Sequence, residues 1–144
     1  MSGFTGNYSC DTLRLGLANG TINFATDTFK LALYTNAATL NAQTTAYTTT
    51  GEASGGDYVA GGKVVTATLS SGTNADQQNV VYVNFSSPSW TGSITARGAL
   101  IYNSTQSNKA VAVLDFGGDK TSTAGTFTIV FPTAAAGTAI LQIQ

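Results

Sequence analysis

The strongest constraint in this chain is a two-residue alternation of apolar and polar side chains that recurs along its length. In TFKLALYT, Phe29, Leu31 and Leu33 fall to one side, with Thr28, Lys30 and Tyr34 to the other. In VVYVNF, Val81, Val83 and Phe85 oppose Tyr82 and Asn84; in TFTIVFP, Phe127, Ile129 and Phe131 oppose Thr126 and Thr128. Successive side chains of a strand point to opposite faces, so this period predicts pleated strands with one buried face. ALIYN and NKAVAVLDF are apolar at consecutive positions and suit central strands, while KVVTATLS and AILQIQ complete the set. Short strands broken by glycine-rich stretches predict an all-β fold, a sandwich or jelly-roll-like barrel of about eight strands.

One helix is predicted. SCDTLRLGLANG offers Asn7 or Ser9 as N-cap, Asp11 in the positively polarised first turn, and Asn19-Gly20 as the stop. With 144 residues, the expectation is a single domain over 1–144. Residues 1–9 form a possible N-terminal arm. Residues 36–62 have no strand or helix pattern and read as one long loop, a length usually kept for function.

Charge is scarce. Only 9% of residues are charged, against ~25% in an ordinary soluble domain. The 42% hydrophobic and 10% aromatic content argues against disorder, because such a chain has a core to bury. The six basic residues are scattered and the net charge is −1, so no phosphate-binding stripe exists and nucleic acid is not an expected partner. No apolar run is long enough to span a bilayer, so membrane insertion is not expected. Met1–Gly16 lacks the basic-then-apolar order of a secretion signal, and cytoplasmic synthesis is the expectation. The chain has no histidine, which removes Ser-His-Asp and Cys-His catalysis and histidine-ligated metals. The single Cys10 removes cysteine-clustered metal sites and reads as a small, half-buried apolar residue. No cofactor is implied.

The stretch LDFGGDKTSTAGTFTIVFP, Leu114–Pro132, gathers two acids and a lysine in this poorly charged chain. Its D-F-G lacks every companion motif of a kinase, and Asp119 stands where a phosphate-binding loop needs glycine. A Ca²⁺ site or a hydrolytic acid pair on Asp115 and Asp119 lacks further acidic partners. The simpler reading is a hairpin whose arms are AVAVLDF and TFTIVFP, with GGDKTSTAG as the connection and Asp119 and Lys120 at its tip. Arg97, at the start of an apolar strand, is expected to pair with Asp115, to face a partner subunit, or to guard an edge. Tyr47 and Tyr58 in the long loop leave two readings open: contacts with protein or sugar, or packing back over the sandwich edge.

The blocks FKLALYTNAATLNAQTTAYTTTGEASGGDYVAGG, WTGSITARGALIYN and NKAVAVLDFGGDKTSTAGTFTIVFP resemble a family of small virion structural proteins of tailed bacteriophages. ITARGALIYN and AVLDFGGDKTSTAGTFT are the most specific parts. The resemblance implies a structural part of the particle and no enzymatic activity. Its most natural form is a capsid decoration, or cement, protein that binds the major capsid protein and copies of itself, a homotrimer being favoured, and resides in the virion after synthesis in the host cytoplasm. The alternative is a tail, baseplate or fibre module that contacts the host surface or its glycans, with Tyr47, Tyr58 and Trp90 stacking on sugar rings. Under these readings the interface candidates are Phe4, Tyr8, Tyr47, Tyr58, Arg97, Asp119 and Lys120.

Overall fold

The computed structural model describes Phe4, residues 7–131 and residues 141–143. In chain order these form β1 (Tyr8–Ser9), α1 (Asp11–Asn19), β2 (Phe29–Tyr34), β3 (Lys63–Val65), β4 (Ala67–Thr73), β5 (Asn79–Phe85), β6 (Ser89–Asn103), β7 (Lys109–Thr128) and β8 (Leu141–Ile143). The strands make two antiparallel sheets, β1-β7-β6-β2-β3 and β4-β5-β8. Neither sheet closes on itself, so the all-β architecture is a sandwich and not a barrel. The chain passes from one sheet to the other at Thr66, between β3 and β4.

The alternation seen in the sequence builds the core between the sheets, except at Val81, which is exposed while Val80 is buried. Phe29, Leu31 and Leu33 of β2 meet Val83 and Phe85 of β5. Phe24 stacks on Phe29 with ring centroids 5.0 Å apart, and Phe85 meets Phe29 edge-on at 6.0 Å. Such aromatic pairs contribute ~1 kcal/mol beyond the area they bury. Leu13 of α1 and Ile22 just after it close one side of this core.

The helix ends as expected, with Gly20 in the left-handed conformation (φ 78°) donating its N–H to the Gly16 carbonyl. Its start differs. The N-cap is Cys10, which makes no side-chain cap, and neither Asn7 nor Ser9 takes that role. Both are occupied elsewhere. Ser9 pairs with Ala112 in β1 and its Oγ accepts from Arg14, while the Asn7 side chain accepts the Asp115 N–H.

β6 and β7 form the backbone of the molecule, and here the expected hairpin is corrected. GGDKTSTAG is not a connection: it runs as part of β7, paired with β6 out to Ser89 opposite Thr128. The real turn lies between Asn103 and Lys109, where Ser107 and Asn108 take positive φ. The glycines serve a bulge instead of a turn. Between the pairs Ala96–Lys120 and Gly98–Asp115, the residues Phe116 to Asp119 stand opposite Arg97 alone. Gly117, at φ 81°, lets the strand step out and return. A second irregularity at Gly92/Ile94 is bridged by Ser122, whose hydroxyl donates to the Gly92 carbonyl (2.6 Å) and accepts the Ile94 N–H (3.2 Å).

The five-stranded sheet is buried on its other face as well. Ala32, Tyr34, Leu100, Tyr102 and Val113 form a second core with Phe4, Cys10, Ala38 and Leu40. Its cover is the first part of the long segment 36–62, through Ala38, Leu40 and Tyr47, whereas Ala53 and Tyr58 further along pack on the first core. That segment has no regular strand and touches the sheet through isolated bridges at Glu52 (to Tyr34) and Ala46 (to Lys109).

Candidate functional site

The interface candidates fall into two groups. The first surrounds the β7 bulge. Arg97 and Asp115 form the expected ion pair through Nη1 and Oδ1, with side chains only 13% and 14% exposed. Asp115 Oδ1 also accepts the Gly117 N–H at 2.8 Å, so one carboxylate holds both the arginine and the returning bulge. Burial raises the Asp115 pKa, but the Arg97 hydrogen bond, the Gly117 N–H and the Arg97 charge more than offset it and hold the group below the ordinary carboxylate value. The guanidinium lies over the Phe4 ring, 5.8 Å from its centroid. Phe4 is itself buried against Gly98, where an added Cβ would stand 2.3 Å from the ring. Asn7 Oδ1 accepts the Asp115 N–H at 2.6 Å, and Tyr8 pairs with Val113 in β1. Of the expected 1–9 arm, the described residues 7–9 are thus docked along β7 and Phe4 on β6 at Arg97 and Gly98. Residues 1–3, 5 and 6 lie outside the described ones.

The second group surrounds Glu52, a residue that sequence reasoning missed. Glu52 Oε1 accepts the Tyr47 hydroxyl at 2.7 Å, and Oε2 accepts the Tyr58 hydroxyl and the Gly61 N–H, each at 2.7 Å. Tyr58 Oη in turn accepts the Leu33 N–H of β2, and the Tyr102 hydroxyl donates to the Gly61 carbonyl at 2.7 Å. The Tyr34 hydroxyl donates to the Thr48 carbonyl at 2.7 Å. Between the two open readings of the loop tyrosines, packing back is what occurs. The Tyr47 ring stacks on Tyr102 at 4.8 Å, and Tyr58 packs on Trp90 at 5.5 Å. Trp90 is 1% exposed, so it presents no ring face to a sugar. Burial pushes the phenols of Tyr34, Tyr47, Tyr58 and Tyr102 above the ordinary tyrosine value, and the Glu52 carboxylate pushes them further. Every hydroxyl here is committed to a loop or sheet partner, so the cluster works as a clasp.

Asp119 and Lys120 lie exposed on the outer part of β7. Asp119 accepts from the Asn36 side chain at 3.3 Å, and Lys120 stands opposite Ala96. The structure does not bring Asp119 to Asp115: one carboxylate faces the start of the long loop and the other faces Arg97. Among the described residues no group of three or more Cys, Asp or Glu is placed to hold a metal ion. Cys10 is fully buried, and burial pushes its thiol up to about 11, with Arg14 lowering it and Asp11 raising it by less. A thiol held there is protonated at neutral pH and is a poor nucleophile.

No family model, no curated protein and no solved structure matches this chain. The fold and the two clusters therefore define a β-sandwich with a clasped covering loop. The blocks ITARGALIYN and AVLDFGGDKTSTAGTFT are the paired halves of the β6–β7 ribbon.

Proposed function

We propose that this chain is a non-enzymatic structural component of a bacteriophage virion, a decoration protein that binds the assembled head and stabilises it. One observation carries this reading. The most specific blocks of the resemblance are the two long strands at the centre of the scaffold, where the Arg97–Asp115 pair and the Glu52 tyrosines are spent on internal contacts and Asp119 and Lys120 stay exposed. A rigid, low-charge sandwich whose outer strands present threonine and serine suits a part that coats a repetitive surface. Binding only to the assembled shell stabilises that shell by mass action. The partners are then the major capsid protein and further copies of this chain.

The test is co-sedimentation of the purified protein with expanded empty capsids, with free capsid subunits as the comparison. Binding to shells and not to free subunits supports the decoration role. Failure on shells, combined with glycan-array binding, gives the role to a tail or fibre module instead. Antibody labelling of intact virions, with the label on the tail, overturns the head assignment.

A further inference from the structure

Sheet edges carry unpaired backbone N–H and C=O groups, and proteins usually blunt them with short strands, charges, proline or bulges. The other edges of this molecule among the described residues follow that rule. β7 beyond Val113 is broken by the bulge at Phe116–Asp119 and carries Asp115, Asp119 and Lys120. β1 is two residues long, and β8 is three; β3 is also three and carries Lys63. The edge at β4 does not. It is seven residues, ATLSSGT, with no charge and no proline. Its register with β5 runs unbroken from Ala67–Phe85 to Thr73–Asn79. Thr68 to Thr73 are all exposed. Between Lys63 and Arg97 the only charged residue is Asp76, in the turn beyond the strand. Leu69 on this edge is 47% exposed and Val81 on the neighbouring strand is 45% exposed.

We propose that β4 is a self-association edge, which pairs antiparallel with β4 of a second copy. The occupant follows from length and symmetry. An extended backbone is the chemistry that satisfies an open edge, and among the described edges only β4 itself supplies an uncharged strand whose register is unbroken over seven residues. Antiparallel pairing of a strand with its own copy is two-fold symmetric, so the contact is closed and does not propagate. Full seven-residue overlap centres the two-fold axis on Ser70. Leu69 then lies opposite Ser71 of the second copy, and Thr68 opposite Gly72. Opposite residues share a face, so the inner faces of both sheets continue into one another as a six-stranded sheet, β8-β5-β4-β4-β5-β8. No charge meets a like charge along the seam. The product is a two-fold pair, not the three-fold set that the resemblance implies. The inference does not rest on the virion reading.

A single strand seam falls below the ~1,600 Å² of a standard interface, so the pair forms reversibly. Analytical ultracentrifugation of the full chain is expected to show a mass that doubles between ~10 µM and ~1 mM. S70K and S70E, at the solvent-facing centre of the seam, each place like charges opposite one another. Each is expected to stay monomeric over that range with unchanged circular dichroism and thermal midpoint. An equimolar mixture of S70K and S70E is expected to recover the doubled mass. Three results overturn the proposal: a wild-type chain that stays monomeric throughout, a three-fold mass, or an S70K variant that pairs as well as wild type. Rescue in the mixture excludes misfolding as the cause of the single-variant losses, and absence of rescue moves the contact off Ser70 and also overturns it.

Discussion

On one face of the five-stranded sheet, Phe29, Leu31 and Leu33 meet Val83 and Phe85 of a second sheet. On the other, Ala32, Tyr34 and Tyr102 meet the irregular chain of residues 36–62. The two covers solve different problems. A covering sheet satisfies its own backbone groups along its ladders, so its inner side chains need only be apolar and well packed. A covering loop has no ladder, and each buried N–H and C=O needs an individual partner. That is why the second face carries hydroxyls. Tyr34 serves the Thr48 carbonyl, Tyr102 the Gly61 carbonyl, and Glu52 the Gly61 N–H. Backbone bonds from Ala53 N to the Leu33 carbonyl and from Thr35 N to the Gly51 carbonyl complete the attachment.

If this contrast is right, the two faces fail differently when cut. The largest loss is expected for Phe85→Ala, which empties a fully buried ring site between the sheets and costs ~3–5 kcal/mol. Urea unfolding should show it as a lower midpoint for the whole molecule. A loss below 1 kcal/mol would mean that the inter-sheet core is not what holds the fold.

Glu52→Ala is expected to cost about 2 kcal/mol, because it strands two hydroxyls and one N–H at once. Its signature is local. Amide exchange at Tyr58 and Gly61 should accelerate while β5 amides keep their protection. Glu52→Gln, which retains an acceptor oxygen, should lose less. Uniform acceleration in both regions would erase the distinction between the covers.

Asp115→Ala should cost ~1–2 kcal/mol, since it leaves Arg97 half-buried without its partner, whereas Asp119→Ala should stay within ~0.5 kcal/mol. The pH dependence has a defined sign. The Asp115 pKa is depressed below 3.8 in the folded protein, so its contribution is present above the unfolded value and is lost as pH falls through the folded one. Asp27, held by Asn103, behaves the same way, because hydrogen bonds from Asn103, the Asn23 backbone and Gln106 outweigh its burial. Acid titration of stability should therefore be shallower in Asp115→Asn than in wild type, with the Asp27 share remaining.

The smallest effect tests the phenols gathered around Glu52. Their pKa values are raised on folding, so their contribution is full below the ordinary value of 10 and declines as pH rises above it. Ultraviolet titration should find these tyrosines ionising late and together with unfolding. Early, independent ionisation of Tyr47 and Tyr58 would show that the clasp is open in solution.

Much of the first face was legible in the sequence, because a two-residue period reports directly which side chains share a strand face. The helix stop at Asn19-Gly20 was legible for a similarly local reason: only a left-handed residue ends a helix with that bond. The Arg97–Asp115 pair was accessible by scarcity, since a half-buried arginine needs an acid and few exist. Glu52 was not legible. Its partners lie at irregular separations within a loop, and no periodicity marks a carboxylate that gathers two hydroxyls and a backbone N–H. Nor was the helix N-cap, because Ser9 and Asn7 are good caps locally and are claimed by β7 instead.

The sequence alone settled that this chain makes strands, where most of them lie, and that it has no histidine for Ser-His-Asp or Cys-His catalysis, because these depend on residue type and on contacts between near neighbours. The tertiary structure alone decided the path of GGDKTSTAG and the fate of segment 36–62. Glycines permit a turn and a bulge equally. What selects the bulge is β6, whose long partner edge rewards the strand for returning to register, and what folds the loop down is a sheet face that needs a cover.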